Sequence, residues 1–447
     1  MRARHRYLLS LVTLWCLSLP LAAGEVLTLA EAYRTALRNN PSFLSAHRSI
    51  TSSDNRQLLT RAGFMPSLSS ELSYKRSTLN SAPSPWLSDA ILSTMSGDKQ
   101  DSDSFNNYSL SFTLSQTIWD FKTYDNYRSA GHTLQSARLD AENVANNLYL
   151  SIVQAYFAVI AADASVTLNR ESVTQMQKRF ETAKAQVDNG VRTPVDSLRA
   201  EADLASARLN LIKAKNTREM ALKNLATVMG LSPDTALEIE TGSTVEEVPA
   251  GDPASLAEQA LSRRPDHRSV KEKIAASRLS LAAVSGDYYP QFKANAGVSY
   301  GGYEFDALKY NWYVGASMSW NLFNGLSTTT QRKEAENSLA ILELSLRSVE
   351  LSVRYELEQA FVALREAREK LDPVETLFRA ARSALELADQ RFEKGLGTIT
   401  EVSDAQVFYQ QAAATRTQAL CDLEVAKARV HKALGTGGAS FRQHTGE

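Results

Sequence analysis

Cysteine is almost absent: of two in 447 residues, Cys16 lies inside an N-terminal secretory pattern and Cys421 stands alone in a helical one. The processed chain therefore has no internal disulfide and no N-terminal cysteine to carry a lipid. No later run of about 18 apolar residues is evident, so no membrane-spanning helix is expected. Positive charge is not in excess either. The formal net charge is −1, and loss of Arg2, Arg4 and Arg6 with the leader takes it to −4, which gives no basic surface for nucleic acid. The commoner catalytic signatures are missing: no HExxH, no paired CxxC, no GxSxG, no P-loop and no GxGxxG after a strand. His47, His132, His267, His431 and His444 are scattered without ligand spacing and read as surface histidines. Nothing here carries chemistry, so an enzyme, a cofactor and a metal site are all unexpected.

What is present begins with a leader. Arg2, Arg4, His5 and Arg6 precede an apolar run over residues 7–19 and then "LPLAAG", a secretory signal over residues 1–24 with cleavage near Ala23 or Gly24. The protein leaves the cytoplasm.

The remainder is duplicated. "ALRNNP" and "ALSRRP" end at Pro41 and Pro265, "FMP" and "YYP" at Pro66 and Pro290, each pair 224 apart. Trp119 and Phe323 are 204 apart, while Gly190 with Gly395, and Gly230 with Gly435, are 205 apart. This spacing divides the chain into repeat 1 (25–230), a Pro- and Gly-broken linker (231–253), repeat 2 (254–435) and a tail (436–447). The 20-residue difference falls on a Ser-, Asp- and Pro-rich loop over residues 77–105.

Between Phe323 and Gly395 a seam recurs at Leu339, Leu342, Leu346, Val349, Val353, Leu357, Ala360, Leu364, Ala367 and Leu371. Spacings of three and four mark a coiled coil. The return helices continue it at Leu198, Ala202, Ala205, Leu209 and Ile212, and at Ala412, Ala419, Leu423, Ala426 and Val430. A helix of about 65 residues is roughly 100 Å long, more than a globular domain needs. Pro373 is expected to bend its helix, where the first repeat has Leu168.

Four segments break the helical pattern: about 68–75, 108–119, 292–300 and 312–323. "NNYSLSFTLSQTIWD" alternates Tyr108, Leu110, Phe112 and Leu114 with Ser109, Ser111, Thr113 and Ser115, broken at Gln116. Trp86, Trp119, Trp312, Trp320 and Phe323 gather in these regions, the distribution a membrane interface selects. An apolar face for lipid and a hydroxyl face for a water-filled lumen fit a β-barrel, and four strands are too few to close one alone. The fold class is mostly α with a membrane β-barrel portion, each repeat giving two strands and long coiled-coil helices.

Taken in order and twice over, "TLAEAYRTALRNNP", "AYFAVIAADASVTLNRESV" and the glycine turns leading into "VDSLRAEADLASARLNL" and "EVSDAQVFYQQ" resemble the TolC family of outer-membrane efflux channels. The resemblance implies a homotrimer, with a 12-strand barrel continuous with a 12-helix periplasmic tunnel, and no catalytic activity. It implies an inner-membrane transporter and a periplasmic adaptor as partners, in efflux or type I secretion.

Gly190 and Gly395 mark the tip turns, which the family uses for adaptor contact. Thr193 with Asp196, and Thr398 with Glu401, read equally as capping boxes, with Pro194 at a first helical position. Asp404 lies a turn further in, opposite Arg199 of the other repeat, where no cap is required. By resemblance Glu401 and Asp404 ring the periplasmic aperture. The family's latch tyrosine and arginine positions hold Phe392 and Gly397, the latter opposite Val195, which leaves Phe392 and Arg192 as candidate gate contacts. The rival reading is a periplasmic or surface coiled-coil structural or adaptor protein, which explains the helices but not the strands.

Overall fold

The computed structural model describes residues 26–78, 104–190, 193–249, 251, 253–394 and 396–437. The expected signal, most of the 77–105 loop with Trp86, and also Arg192, Gly395 and His444, lie outside the described residues. The protein is mostly helical, with a few antiparallel strands.

One order of elements occurs twice. It runs α1 (Leu29–Asn39), α2 (Pro41–Ala62), β1 (Ser67–Thr78), β2 (Ser104–Trp119), α3 (Phe121–Asp188) and α4 (Pro194–Val228). It then runs α5 (Pro253–Arg263), α6 (Pro265–Ser285), β3 (Gln291–Gly302), β4 (Lys309–Ser319), α7 (Ser327–Glu369), α8 (Leu371–Glu393) and α9 (Ile399–Leu434). The α7–α8 pair stands where the first half has the unbroken 68-residue α3. Pro373 has no N–H for the Glu369 carbonyl, while Lys370 N–H still reaches Glu366 at 3.0 Å and Val374 N–H reaches Lys370 at 3.1 Å. The helix is interrupted at Lys370, as the proline requires.

Local signals account for the ends. Thr28 and Glu31 form a full capping box on α1, and the Thr28 backbone bond, then its hydroxyl, hold the Glu31 carboxyl below its usual range. Pro194 and Pro265 open α4 and α6. Gly230 and Gly435 both have left-handed backbone, φ +78° and +76°. A β-carbon on Gly230 would stand 2.4 Å from the Asn39 carbonyl oxygen, so no other residue fits there.

The chain divides into two compact units. The first takes in the described residues of 26–44, 145–256 and 356–437, helical apart from the turns and the linker. Its core is Tyr33, Ile152, Val153, Tyr156, Val159, Leu225 and Met229. The linker carries one isolated bridge, Leu27 to Ile239, and is otherwise irregular. Side chains tie it down: the Tyr156 hydroxyl lies 2.7 Å from the Glu240 carbonyl, and Val245 N–H donates to Glu424 at 2.6 Å. Cys421 is free and buried here, and burial pushes its thiol up to about 11, so it stays protonated.

The second unit, residues 45–144 and 257–355, contains the strands. They form one antiparallel sheet in the order β1-β2-β3-β4. β4 ends at Ser319, short of the expected 323, so Trp320 and Phe323 lie in the irregular connection to α7.

Three further expectations are corrected. In α4 the buried stripe is Ala200, Leu204, Ala207 and Ala214, while Leu198, Leu209 and Ile212 are exposed. That helix carries two apolar stripes, and spacing alone does not say which one the chain covers itself. His267 and His431 are buried rather than superficial, the first bonded to the Leu261 carbonyl and the second to that of Glu246. Finally, α3 does hold a window long and apolar enough to cross a membrane. Its alanines and aliphatic residues instead supply the helical core, Ile152, Val153 and Val159 among them.

Candidate functional site

The sheet places every side chain by register. Leu68 faces Leu114, and Leu72 faces Leu110; Leu110, Phe112 and Leu114 then face Tyr300, Val298 and Ala296, which face Tyr310, Trp312 and Val314. These residues make one continuous apolar face. On the reverse, Ser69 faces Thr113 and Ser73 faces Ser109, while Ser111 and Ser115 face Ser299 and Asn295. The hydroxyls bond across strands, Ser73 to Ser109 at 2.9 Å and Ser115 to Asn295 at 3.0 Å.

The apolar face is bare. Leu72 and Val314 are 73% and 75% exposed, and Trp312 stands near the start of β4 on the same face. Exposure on this scale marks a surface that meets lipid or another chain.

Gln116, the break in the alternation, belongs by register to the apolar face, opposite Ala294. Its side-chain amide donates to the Phe64 carbonyl in the turn before β1, which accounts for a polar residue there. The register then slips between Thr117 and Trp119, and this bulge sets Trp119 opposite Phe292. At the same end Trp119 packs edge-on to Phe121 at 5.5 Å, Phe121 lies 5.1 Å from Tyr289, and Trp320 Nε1 donates to the Tyr288 carbonyl at 3.0 Å. At the loop end Tyr74, Tyr108 and Phe305 form a second aromatic group. The apolar face is thus bounded by aromatics at both ends.

Within the hydroxyl face Gly297 lies under Tyr313, whose ring would stand 2.5 Å from a β-carbon at that position. The glycine lets the tyrosine lie flat on the sheet.

In the helical unit, α3 ends at Asp188 and Gly190 turns with φ +75°, with no atom within 4 Å of where its β-carbon would be. Thr193 precedes α4 without capping its backbone; its hydroxyl donates to Asp196 Oδ2 at 3.1 Å. Thr398 does cap α9, accepting from Glu401 N–H at 3.2 Å. Glu401 and Asp404 are exposed. Phe392, only 5% exposed, forms a small core with Ala183, Ala200, Ile399 and Val402, which accounts for a ring without a hydroxyl. At Gly397 a β-carbon would come within 3.1 Å of Phe392 N, a tight approach for any side chain.

Sequence reasoning missed what joins these helices. Arg179 of α3 donates to Asp389 of α8 at 2.6 Å, with Gln406 Oε1 of α9 at 3.5 Å. Ser403 of α9 donates to Asp203 of α4 at 2.7 Å. Each partner is distant in sequence, so no local motif announces the set.

A family model described as outer membrane efflux protein matches residues 32–231 and 256–436, nearly the whole of both halves. The chain belongs to the outer membrane efflux protein family. Among curated relatives, the alkaline protease secretion protein AprF of Pseudomonas aeruginosa is 24% identical over 328 residues, 70% of this chain and 64% of its own. The outer membrane protein TolC of Vibrio cholerae is 21% identical over 422 residues, 91% of this chain and 90% of its own. The chain therefore spans less than two thirds of the first relative and nearly all of the second. Solved structures agree in fold. The Campylobacter jejuni CmeC outer membrane channel aligns with TM-score 0.80 at 18% identity, covering 92% of this chain and 86% of that one. The outer-membrane channel OprN aligns with TM-score 0.76 at 20% identity, covering 92% and 90%. Membership of this family places the protein in the Gram-negative outer membrane, with its helices in the periplasm.

Proposed function

We propose that the protein is the outer-membrane channel of a tripartite efflux pump or type I secretion system, a passive exit duct across the periplasm and outer membrane. The observation that carries this reading is the sheet, with an exposed apolar face, a hydroxyl reverse, and outer edges on β1 and β4 that pair with no described strand. Open edges of that kind call for partners. Three copies supply twelve strands, enough to close a barrel that four cannot. The dimensions agree. From Tyr108 to Trp119 the strand rises about 36 Å, and at a tilt of about 40° it covers about 28 Å of membrane height. The exposed stripe of α4, Leu198, Leu209 and Ile212, gives neighbouring copies an apolar surface in the helical part.

Glu401 and Asp404 form the acidic ring at the periplasmic aperture, six carboxylates in the trimer. Gly190, Thr193, Asp196, Gly395 and Thr398 form the turns that an adaptor protein grips. An inner-membrane transporter supplies the energy and selects the cargo. The relatives point to two cargo classes, since one is named for alkaline protease secretion and another, OpmQ of Pseudomonas aeruginosa, for pyoverdine export.

The test is assembly with conductance. Outer-membrane extracts are expected to hold a species of three chains that dissociates only on heating and adds discrete conductance steps to a planar bilayer. A monomer recovered from the soluble periplasm would overturn the reading.

A further inference from the structure

Five charged side chains lie in the described strands: Glu71, Lys75 and Arg76 on β1, Lys293 on β3 and Lys309 on β4. Arg76 falls opposite Asn106, at the loop end of the apolar face. The other four share the hydroxyl face. Lys75 stands opposite Asn107, Glu71 opposite Ser111, Lys293 between Thr117 and Ser317, and Lys309 opposite Gly301. All four are exposed, and none of the lysines pairs with a carboxylate among the described residues. Lysines are commonly placed on edge strands to block aggregation, which covers Lys75 and Lys309. It does not cover Lys293, which sits on a strand paired on both sides.

We propose that Lys75, Lys293 and Lys309 make the inner wall of the barrel electropositive, so that this segment favours anionic solutes while the aperture at Glu401 and Asp404 favours cations. The proposal rests on the reading of three chains closing one barrel. In that assembly, three lysines and one glutamate per chain become nine and three. They lie at two levels. Lys309 and Lys75 are at the loop end, and Lys293 is eight residues along β3 from the partner of Lys309, about 26 Å away. At physiological salt the field of a charge reaches about 8 Å, so the two ends act as separate rings. A water-filled lumen with a low-dielectric wall concentrates the field of such rings, and rings of one sign set ion preference. Solutes leaving the cell would thus meet opposite signs in succession, and the barrel segment would retain and pass anionic cargo best.

Reversal potentials in a potassium chloride gradient across a planar bilayer test this on the full trimer. With the aperture neutralised by Glu401→Gln and Asp404→Asn, the pore is expected to prefer chloride over potassium by roughly 3-fold or more. Adding Lys75→Gln, Lys293→Gln and Lys309→Gln should bring the ratio to about 1, whereas Lys→Arg at the same three positions should keep it. A heat-dissociable trimer on gels establishes that each variant assembles. Conducting pores with no chloride preference after aperture neutralisation, or a preference that survives the glutamines, overturn the wall assignment alone. Trimers of the unaltered chain that never conduct would overturn the barrel reading, and this proposal with it.

Discussion

Arg179 and Asp389 lie 210 residues apart in the chain and 2.6 Å apart in the fold. The arginine side chain is 12% exposed and the aspartate 38%, so the pair is half shielded from water and its bond is charge-assisted. Such a bond is worth about 1–3 kcal/mol, toward the lower end for the exposure of Asp389. It joins α3 to α8, with Gln406 of α9 as a third member. Asp389→Ala is expected to loosen these helices and raise single-channel conductance several-fold, and Asp389→Glu to restore the closed value. Unchanged conductance in the alanine variant would remove the pair from any gating role.

Since a β-carbon at Gly297 would stand 2.5 Å from the Tyr313 ring, Gly297→Val must lift that ring off the sheet. If three copies close the proposed barrel, a ring displaced on the hydroxyl face enters its lumen. Conductance should fall in Gly297→Val and recover when Tyr313→Ala is added; a fall that Tyr313→Ala does not relieve would mean the valine acts through the strand instead.

The linker is attached to α9 through charge. Lys427, with its side chain 8% exposed, sits 2.6 Å from Glu247 and 3.0 Å from Glu424. Burial alone would lower this lysine, but the two carboxylates outweigh burial and raise it, while Lys427 holds Glu247 below the usual carboxylate range. A raised lysine adds stability that is complete below its ordinary value of 10.5 and is lost as pH climbs through the folded value. A lowered glutamate adds stability that is complete above 4.5 and is lost as pH falls through its folded value. For the proposed trimer, the heat-dissociation temperature should therefore be flat between these limits and drop outside them. Lys427→Met should flatten the alkaline drop, and if that drop is the same with and without Lys427, another group causes it.

The sheet was legible because hydroxyls alternate with Leu110, Phe112 and Leu114 in a strict period of two, and such a period survives folding unchanged. Its register was not legible, since the Gln116 bond to Phe64 and the bulge before Trp119 depend on a neighbouring turn. The helices showed the converse. Val353, Leu357 and Leu364 are buried as the seam requires, yet Leu198 and Leu209 are exposed, because α4 carries two apolar stripes and the chain covers the one through Ala200 and Leu204. At the candidate mouth Thr398 was readable as a cap, while Arg179 and Asp389 were not, being joined only through space.

The two faces of the sheet give the most direct test of the whole arrangement. Phe112 is on the apolar face, between Ser70 and Val298, and Ser111 on the reverse, between Glu71 and Ser299. If the apolar face meets lipid, Phe112→Arg buries a charge in hydrocarbon near mid-strand at a cost of about 2–4 kcal/mol per chain. In the proposed trimer each of the three chains bears that cost, so heat-dissociable trimer in outer-membrane extracts should fall sharply. Ser111→Phe should leave the trimer intact, because the residue meets water, and should narrow the lumen enough to reduce conductance. Trimer yield and conductance measured on both variants separate the faces cleanly. Assembly lost in Ser111→Phe but retained in Phe112→Arg would require the lumen and lipid faces to be exchanged.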